Sequence, residues 1–364
     1  MMDKYNYKMH TIKQETIYLD YLRIIATIAM ITLHVAASGF ISKDIHTYDW
    51  EIANIFDASV RWCVPVFIMI SGVLFLGRDI PTKVIYKKYI LRIILAFLIW
   101  SIIYILFNIH VLGRLYSNNW QEYLNTIVHG EFHLWFLPMI AGLYACIPFL
   151  QPIARNRRAS KHFLCISILL SFCIPLVIKM LEISNSGGFS FVPLLEYHTK
   201  NIMSSIAVAT FACYFILGYI IHNKIFTQNK TNGICLFGLV GFFFTIYMTH
   251  RLTHKLQSST EIFYKNSNIN ILLESMFVFI FVKSCKFSNC LFYRKIVIKL
   301  AKYSFGAYLS HIVFLELAYK YNVMESLQHQ QWLYIPIITI LVAIASYAAS
   351  ALLNQIPKIN KYIV

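Results

Sequence analysis

Residues 17–40 read IYLDYLRIIATIAMITLHVAASGF, an apolar run interrupted by Asp20, Arg23 and His34. A helix that crosses a bilayer needs about 20 mainly apolar residues, and this run has that length. It is too long for a signal-peptide core and lacks a small-residue cleavage site before the next run, so it reads as a retained helix. A charged or titratable side chain at such depth is costly and is usually there for function. The eleven residues from Arg23 to His34 correspond to roughly three helical turns and a rise of about 16 Å. The two side chains therefore share one face at different depths, a cation near one membrane surface and an imidazole well inside. A neutral imidazole can act as a general base near pH 7, a task that suits transfer chemistry on a hydroxyl.

Nine further stretches approach the same length: Ile52 to Gly77, Tyr89 to His110, His133 to Ile153, His162 to Leu181, Ile202 to His222, Gly233 to Thr249, Ile269 to Cys285, Tyr303 to Lys320 and Trp332 to Asn354. Ten spans put both chain ends on one side, and the segments between them then sort by charge. One set carries Lys4, Lys8 and Lys13, then Arg78, Lys83, Lys87, Lys88 and Arg92, and later Arg155, Arg157, Arg158, Lys224, Arg294, Lys295 and Lys299. The other holds Lys43, Arg114, Lys200, Arg251, Lys255, Lys265 and Lys320. The positive-inside rule assigns the first set and both termini to the cytoplasm. The fold class is thus an all-α polytopic integral membrane bundle of about ten transmembrane helices. The outer segments Val111 to Phe132 and Glu182 to Asn201 are rich in aromatic and amide side chains and suit interfacial helices or a partial cover.

Composition agrees. With 364 residues, 58% of them hydrophobic and 13% charged, the chain departs from a soluble domain, in which roughly a quarter of residues are charged. The net charge of +16 does not point to nucleic acid, because the Lys and Arg residues gather between apolar runs rather than in a basic domain. The 8 cysteines fall mostly within apolar runs and form no CxxC pair, so free thiols and no metal are expected. Signatures of the GxSxG, P-loop and HExxH types are absent. There is no internal repeat or linker, so a single membrane domain is the economical reading.

The remaining candidates each carry two readings. Asp20 precedes Arg23 by three residues, so the two pair on one face, either to orient a functional guanidinium or to anchor a helix end. The second stretch contains Asp57 and Arg61, then Pro65, which can kink the helix, and Ser71 with Gly72, which permit close helix approach. The charges imply a polar, substrate-binding cavity, or else an i, i+4 ion pair near the outer interface. Lys88 and Arg92 serve either as positive-inside anchors on anionic lipid or as a phosphate site for a cytosolic nucleotide-like donor. His133 and Trp135 open the fourth stretch, and Tyr308 and His311 lie in the ninth; such groups line a substrate cavity or form an aromatic belt. Glu274 and Glu316 read equally as a proton relay or as structural pairs.

At these residues the chain resembles the acyltransferase family 3 membrane proteins. LDYLRIIATIAMITLH is similar to that family's Arg, ten residues, His pattern, and WEIANIFDASVRWCVPVFIMISGVLF resembles its second helix with the Val-Pro and Ser-Gly landmarks. FHLWFLPMIAGLYACIPFLQP, YFILGYII and SFGAYLSHIVFLEL resemble later landmarks, so the likeness covers nearly the whole chain. It implies a ten-helix acyltransferase domain over 17–354, between a cytoplasmic segment 1–16 and a cytoplasmic tail 355–364, of the stand-alone branch. It also implies transfer of an acyl group, usually acetyl from cytosolic acetyl-CoA, to a hydroxyl of a cell-surface glycan or lipid-linked precursor at a bacterial inner membrane. His34 would be catalytic, Arg23 essential, and Lys88 and Arg92 would stand for the family's basic motif, with Lys where Arg is frequent. The competing class is a transporter of a small polar solute or glycan, which predicts paired discontinuous helices in two related halves; no such symmetry is visible in the sequence. Acceptor identity and homo-oligomer formation are left open.

Overall fold

A computed structural model describes residues 16–114, 120–178, 192–224, 228–287 and 290–357, and these residues form helices and connecting turns with no strand. The expected cytoplasmic ends, 1–15 and 358–364, and residues 182–191 of the second outer segment lie outside the described residues.

Helices overlap all ten apolar stretches. In chain order they are α1 (Ile17–Ser42), α2 (Tyr48–Ala58), α3 (Cys63–Leu76), α4 (Thr82–His110), α5 (Trp120–His129), α6 (Phe136–Ala145) and α7 (Ile147–Arg155). They continue as α8 (Arg157–Ile178), α9 (Val192–Asn223), α10 (Gln228–Leu256), α11 (Ile269–Ser284), α12 (Leu291–Lys320) and α13 (Gln331–Leu353). By length and apolarity, 6 of the described spans suffice to cross a membrane, or up to 7 when the broken pair Phe132–Ala145 and Ile147–Arg155 is joined. The shortfall from ten has local causes: α11 has only 16 residues, and α12 carries Arg294, Lys295, Lys299 and Lys302 in its first half. The outer segment after α4 does contain a helix, α5.

Two stretches are broken where proline dictates it. A helical proline has no N–H to donate, and its ring clashes with the carbonyl four residues earlier. For Pro65 that carbonyl belongs to Arg61, and the second stretch is interrupted at residues 59–62. The expected kink is thus a run of turns at 59–62, one turn upstream, within a span that runs Tyr48–Leu76, and Pro65 lies in the first turn of α3, where a missing donor does no harm. Pro148 acts likewise on Tyr144, and α6 ends at Ala145.

Contacts divide the chain into two compact units, residues 1–78 with 149–297 and residues 79–148 with 298–364. In the first, α3 and α9 meet through reciprocal glycines. A Cβ built on Gly72 would lie 1.8 Å from the Phe215 carbonyl oxygen, and one on Gly218 would lie 2.2 Å from that of Met69. Small residues allow this backbone approach in a medium that supplies no hydrophobic drive between helices, and the expectation for Gly72 is met.

The two ends of this unit differ in chemistry. At one, the Tyr18 hydroxyl meets His222 Nδ1 at 2.7 Å and Lys283 Nζ donates to the carbonyls of Ile221, His222 and Lys224 at 2.6, 2.8 and 2.8 Å. Lys283 thereby caps the carbonyl end of α9, whose last turn has no intrahelical donors. Lys283→Met is expected to lower stability by about 1–2 kcal/mol, read as the shift of the thermal midpoint of the detergent-purified chain. At the other end Trp50 Nε1 donates to the Phe40 carbonyl at 3.1 Å and to Ser259 Oγ at 3.0 Å, fixing the α1–α2 turn.

In the second unit, α4 begins irregularly, with a wide π-helical turn over Ile85–Ile90. Such turns insert a residue into the ladder and often mark functional positions. Gly130 ends α5 with φ +66°, and a Cβ there would lie 2.8 Å from the Phe97 ring.

Candidate active site

Four residues of α1, Arg23, Thr27, Met30 and His34, fall on one stripe by helical periodicity. Thr27 and Met30 are buried at 0% and 4% exposure, and Arg23 and His34 are half-buried, so the stripe turns toward protein. Arg23 Nη1 pairs with Asp20 Oδ1 at 3.2 Å, as the spacing predicts. Thr27 Oγ1 donates to the Arg23 carbonyl at 2.8 Å, using a bond within the helix for its hydroxyl. The guanidinium and imidazole are therefore separated along the stripe by packed Met30.

Asp57 and Arg61 form a second polar centre in the same unit. Arg61 Nη2 donates to Asp57 Oδ2 at 2.5 Å and lies 3.5 Å from Glu261 Oε1. The guanidinium stacks 4.1 Å from the Tyr264 ring centroid, and the Tyr264 hydroxyl donates to Asn54 Oδ1 at 2.5 Å. Burial, with Asp57 nearby, pushes the Tyr264 phenol well above its ordinary range, so it remains a donor. Tyr264, from the α10–α11 loop, packs over this polar centre. The pair ties the last turn of α2 to the break at 59–62.

Each of the two carboxylates left open has a polar partner. Thr245 Oγ1 donates to Glu274 Oε1 at 2.5 Å, and Asn270 Nδ2 donates to Thr245 at 2.8 Å. In the second unit Glu316 pairs with Arg114 at 3.1 Å.

That second unit gathers three of the four residues in it expected to line a substrate cavity. The His133 and His311 rings are 5.0 Å apart, and His133 and Tyr308 5.8 Å apart. Tyr308 Oη donates to the His133 carbonyl at 2.8 Å, and Tyr104 Oη donates to the Leu309 carbonyl at 2.8 Å. His311 Nδ1 lies 2.6 Å from the Tyr308 carbonyl. Only a donor suits that carbonyl, so the bond fixes the tautomer with Nε2 as the acceptor. Trp135 is 42% exposed, and its ring meets Phe136 edge-on with centroids 6.3 Å apart. Lys88 and Arg92 are exposed at the start of α4, Lys88 near the Tyr89 ring at 5.6 Å and Arg92 near the Phe305 ring at 5.4 Å.

A family model described as an acyltransferase domain matches residues 16–351. The chain belongs to acyltransferase family 3. No curated protein and no solved structure matches it. The match spans both units and every residue singled out above, and it does not favour the transport reading. This family 3 protein is a multi-pass membrane acyltransferase. Two of its groups escaped the sequence reading altogether: Tyr264, which stacks on Arg61, and Glu51 with His250 and His254, which meet across some two hundred residues of chain.

Proposed function

We propose that this acyltransferase moves an acetyl group from cytosolic acetyl-CoA to a hydroxyl of a cell-surface glycan or its lipid-linked precursor, in the inner membrane of a bacterial cell. The observation that carries the reading is the family match over 16–351, which brings acyl transfer with it. The motifs at Arg23 and His34 and along the later helices resemble the enterobacterial common antigen O-acetyltransferase type. On this reading the chain crosses the membrane ten times with both termini in the cytoplasm, as the loop charges indicate.

In the proposed reaction His34 takes the proton from the acceptor hydroxyl as its oxygen attacks the acetyl carbonyl. The carbon–sulfur bond then breaks, and the CoA thiolate leaves and recovers the proton from the imidazolium. A two-step route through an acetyl-His34 intermediate balances equally. Arg23, oriented by Asp20 at 3.2 Å, is assigned to the donor phosphates, as are Lys88 and Arg92. Asp57, Arg61, His133, Trp135, Tyr308 and His311 are assigned to the acceptor, whose sugar rings suit aromatic faces and whose hydroxyls suit a buried ion pair.

The test is transfer of labelled acetyl from acetyl-CoA by the purified chain to a lipid-linked saccharide extract, with free CoA and acceptor mass followed together. His34→Ala is expected to lower the rate by about 10²-fold or more, and Arg23→Ala to raise KM for acetyl-CoA. Unchanged transfer in His34→Ala removes the base role. Absence of acceptor-dependent CoA release removes the acetyltransferase reading.

A further inference from the structure

His250 and His254 lie one turn apart on α10 and share a face, and both reach Glu51 in the first turn of α2. His250 Nδ1 is 2.6 Å and His254 Nε2 is 3.5 Å from Glu51 Oε1. The three ligand atoms all lie within 4.8 Å of one another. Around a tetrahedral ion with bonds near 2.1 Å, ligand atoms stand about 3.4 Å apart, so modest side-chain rotations bring these atoms to ligating distance. We propose that Glu51, His250 and His254 bind a divalent transition-metal ion of the zinc type, which clamps α2 to α10.

The donor set selects the ion. Two imidazole nitrogens and one carboxylate suit Zn²⁺ and its neighbours, whereas Ca²⁺ and Mg²⁺ want oxygen. Three protein ligands leave a fourth position open. The exposed His46, on the α1–α2 loop with its ring 5.4 Å from that of His254, is near enough to approach it. The site opens onto a recess of about 400 Å³ lined by His250, His254, Phe263 and their neighbours, so an ion has a route in. Arg251 and Lys255 line the same recess and repel a cation, so ligation rather than the local field has to supply the affinity. This assignment is independent of the acetyl-transfer chemistry.

The experiment is a Zn²⁺ titration of the full chain, purified in detergent through a tag without histidine, against a chromophoric chelator. One Zn²⁺ per chain is expected. His250→Ala and His254→Ala should each weaken binding at least about 10-fold, since losing a ligand costs no less than losing an outer-shell partner. Arg251→Ala should bind Zn²⁺ as tightly or more tightly, and His162→Ala, an exposed residue elsewhere on α8, should bind unchanged. Co²⁺ added to the unmodified protein supplies a readout that needs no variant: a tetrahedral d–d spectrum, abolished by excess Zn²⁺, is expected. No stoichiometric Zn²⁺, no such spectrum, or the same affinity in the His250→Ala, His254→Ala double variant each overturns the site. So does loss of Zn²⁺ binding in Arg251→Ala.

Discussion

Gly72→Val leaves little folded protein. The valine Cβ would start 1.8 Å from the Phe215 carbonyl oxygen, and this neighbour is backbone, so α3 and α9 must move apart rather than exchange a rotamer. Overpacking of a side-chain neighbour costs about 1–3 kcal/mol; displacement of two helix backbones is expected to exceed about 3 kcal/mol and to take much of a typical folding free energy with it. Gly218→Val acts on the same contact from the opposite side, 2.2 Å from the Met69 carbonyl. The double variant should therefore cost less than the sum of the two singles, because one separation of the helices relieves both clashes. Thermal denaturation and monodispersity of the detergent-purified variants measure this. Gly142→Ala, with nothing within 4 Å of the added Cβ, is the control and should behave like the parent.

Removing one member of the Asp57–Arg61 pair is the second large effect. Asp57 is fully buried and bonded to Arg61 at 2.5 Å, so Arg61→Met leaves a buried carboxylate without its cation. Breaking a buried pair from one side costs about 3–5 kcal/mol, whereas replacing both members with apolar residues of similar size is often close to neutral. Arg61→Met alone should therefore be strongly destabilised, and Asp57→Leu with Arg61→Met should regain most of the loss. Activity then separates the two roles this pair can have. A refolded double variant that transfers acetyl normally makes the pair structural; one that folds but shows a raised KM for the acceptor gives it the substrate role.

The helical fold was legible because apolar runs of spanning length leave the backbone one solution in hydrocarbon, to satisfy every N–H and C=O within the segment. The breaks were only half legible. Pro65 announced an irregularity, but its ring acts on the carbonyl of Arg61, so the interruption lies upstream at 59–62. The Asp20–Arg23 and Asp57–Arg61 pairs were legible because they are local, three and four residues apart on one helix. Tyr264 was not: it lies about two hundred residues from Arg61, and a loop tyrosine carries no periodic signal. The same holds for Glu51 with His250 and His254. The expectation of no metal rests on cysteine spacing, which says nothing of these residues; the segment HRLTH has histidines at i, i+4 but Arg251 where an HExxH helix carries glutamate. Trp135 is exposed although His133, two residues away, is buried, since adjacency in sequence says little about which side of a short 3₁₀ turn a side chain leaves from.

A proline-made interruption behaves differently from a glycine-made one. The pyrrolidine ring holds its own φ near −65° and confines the residue before it, so Val64 and Pro65 fix the first turn of α3 just past the interruption at 59–62. The Asp57–Arg61 pair braces that interruption from the α2 side. The entropy of arranging these groups is thus surrendered once, as the polypeptide matures, and not at each encounter with a guest molecule. In a protein set in a fluid bilayer, an interruption fixed at folding keeps the placement of α2 on α3 constant.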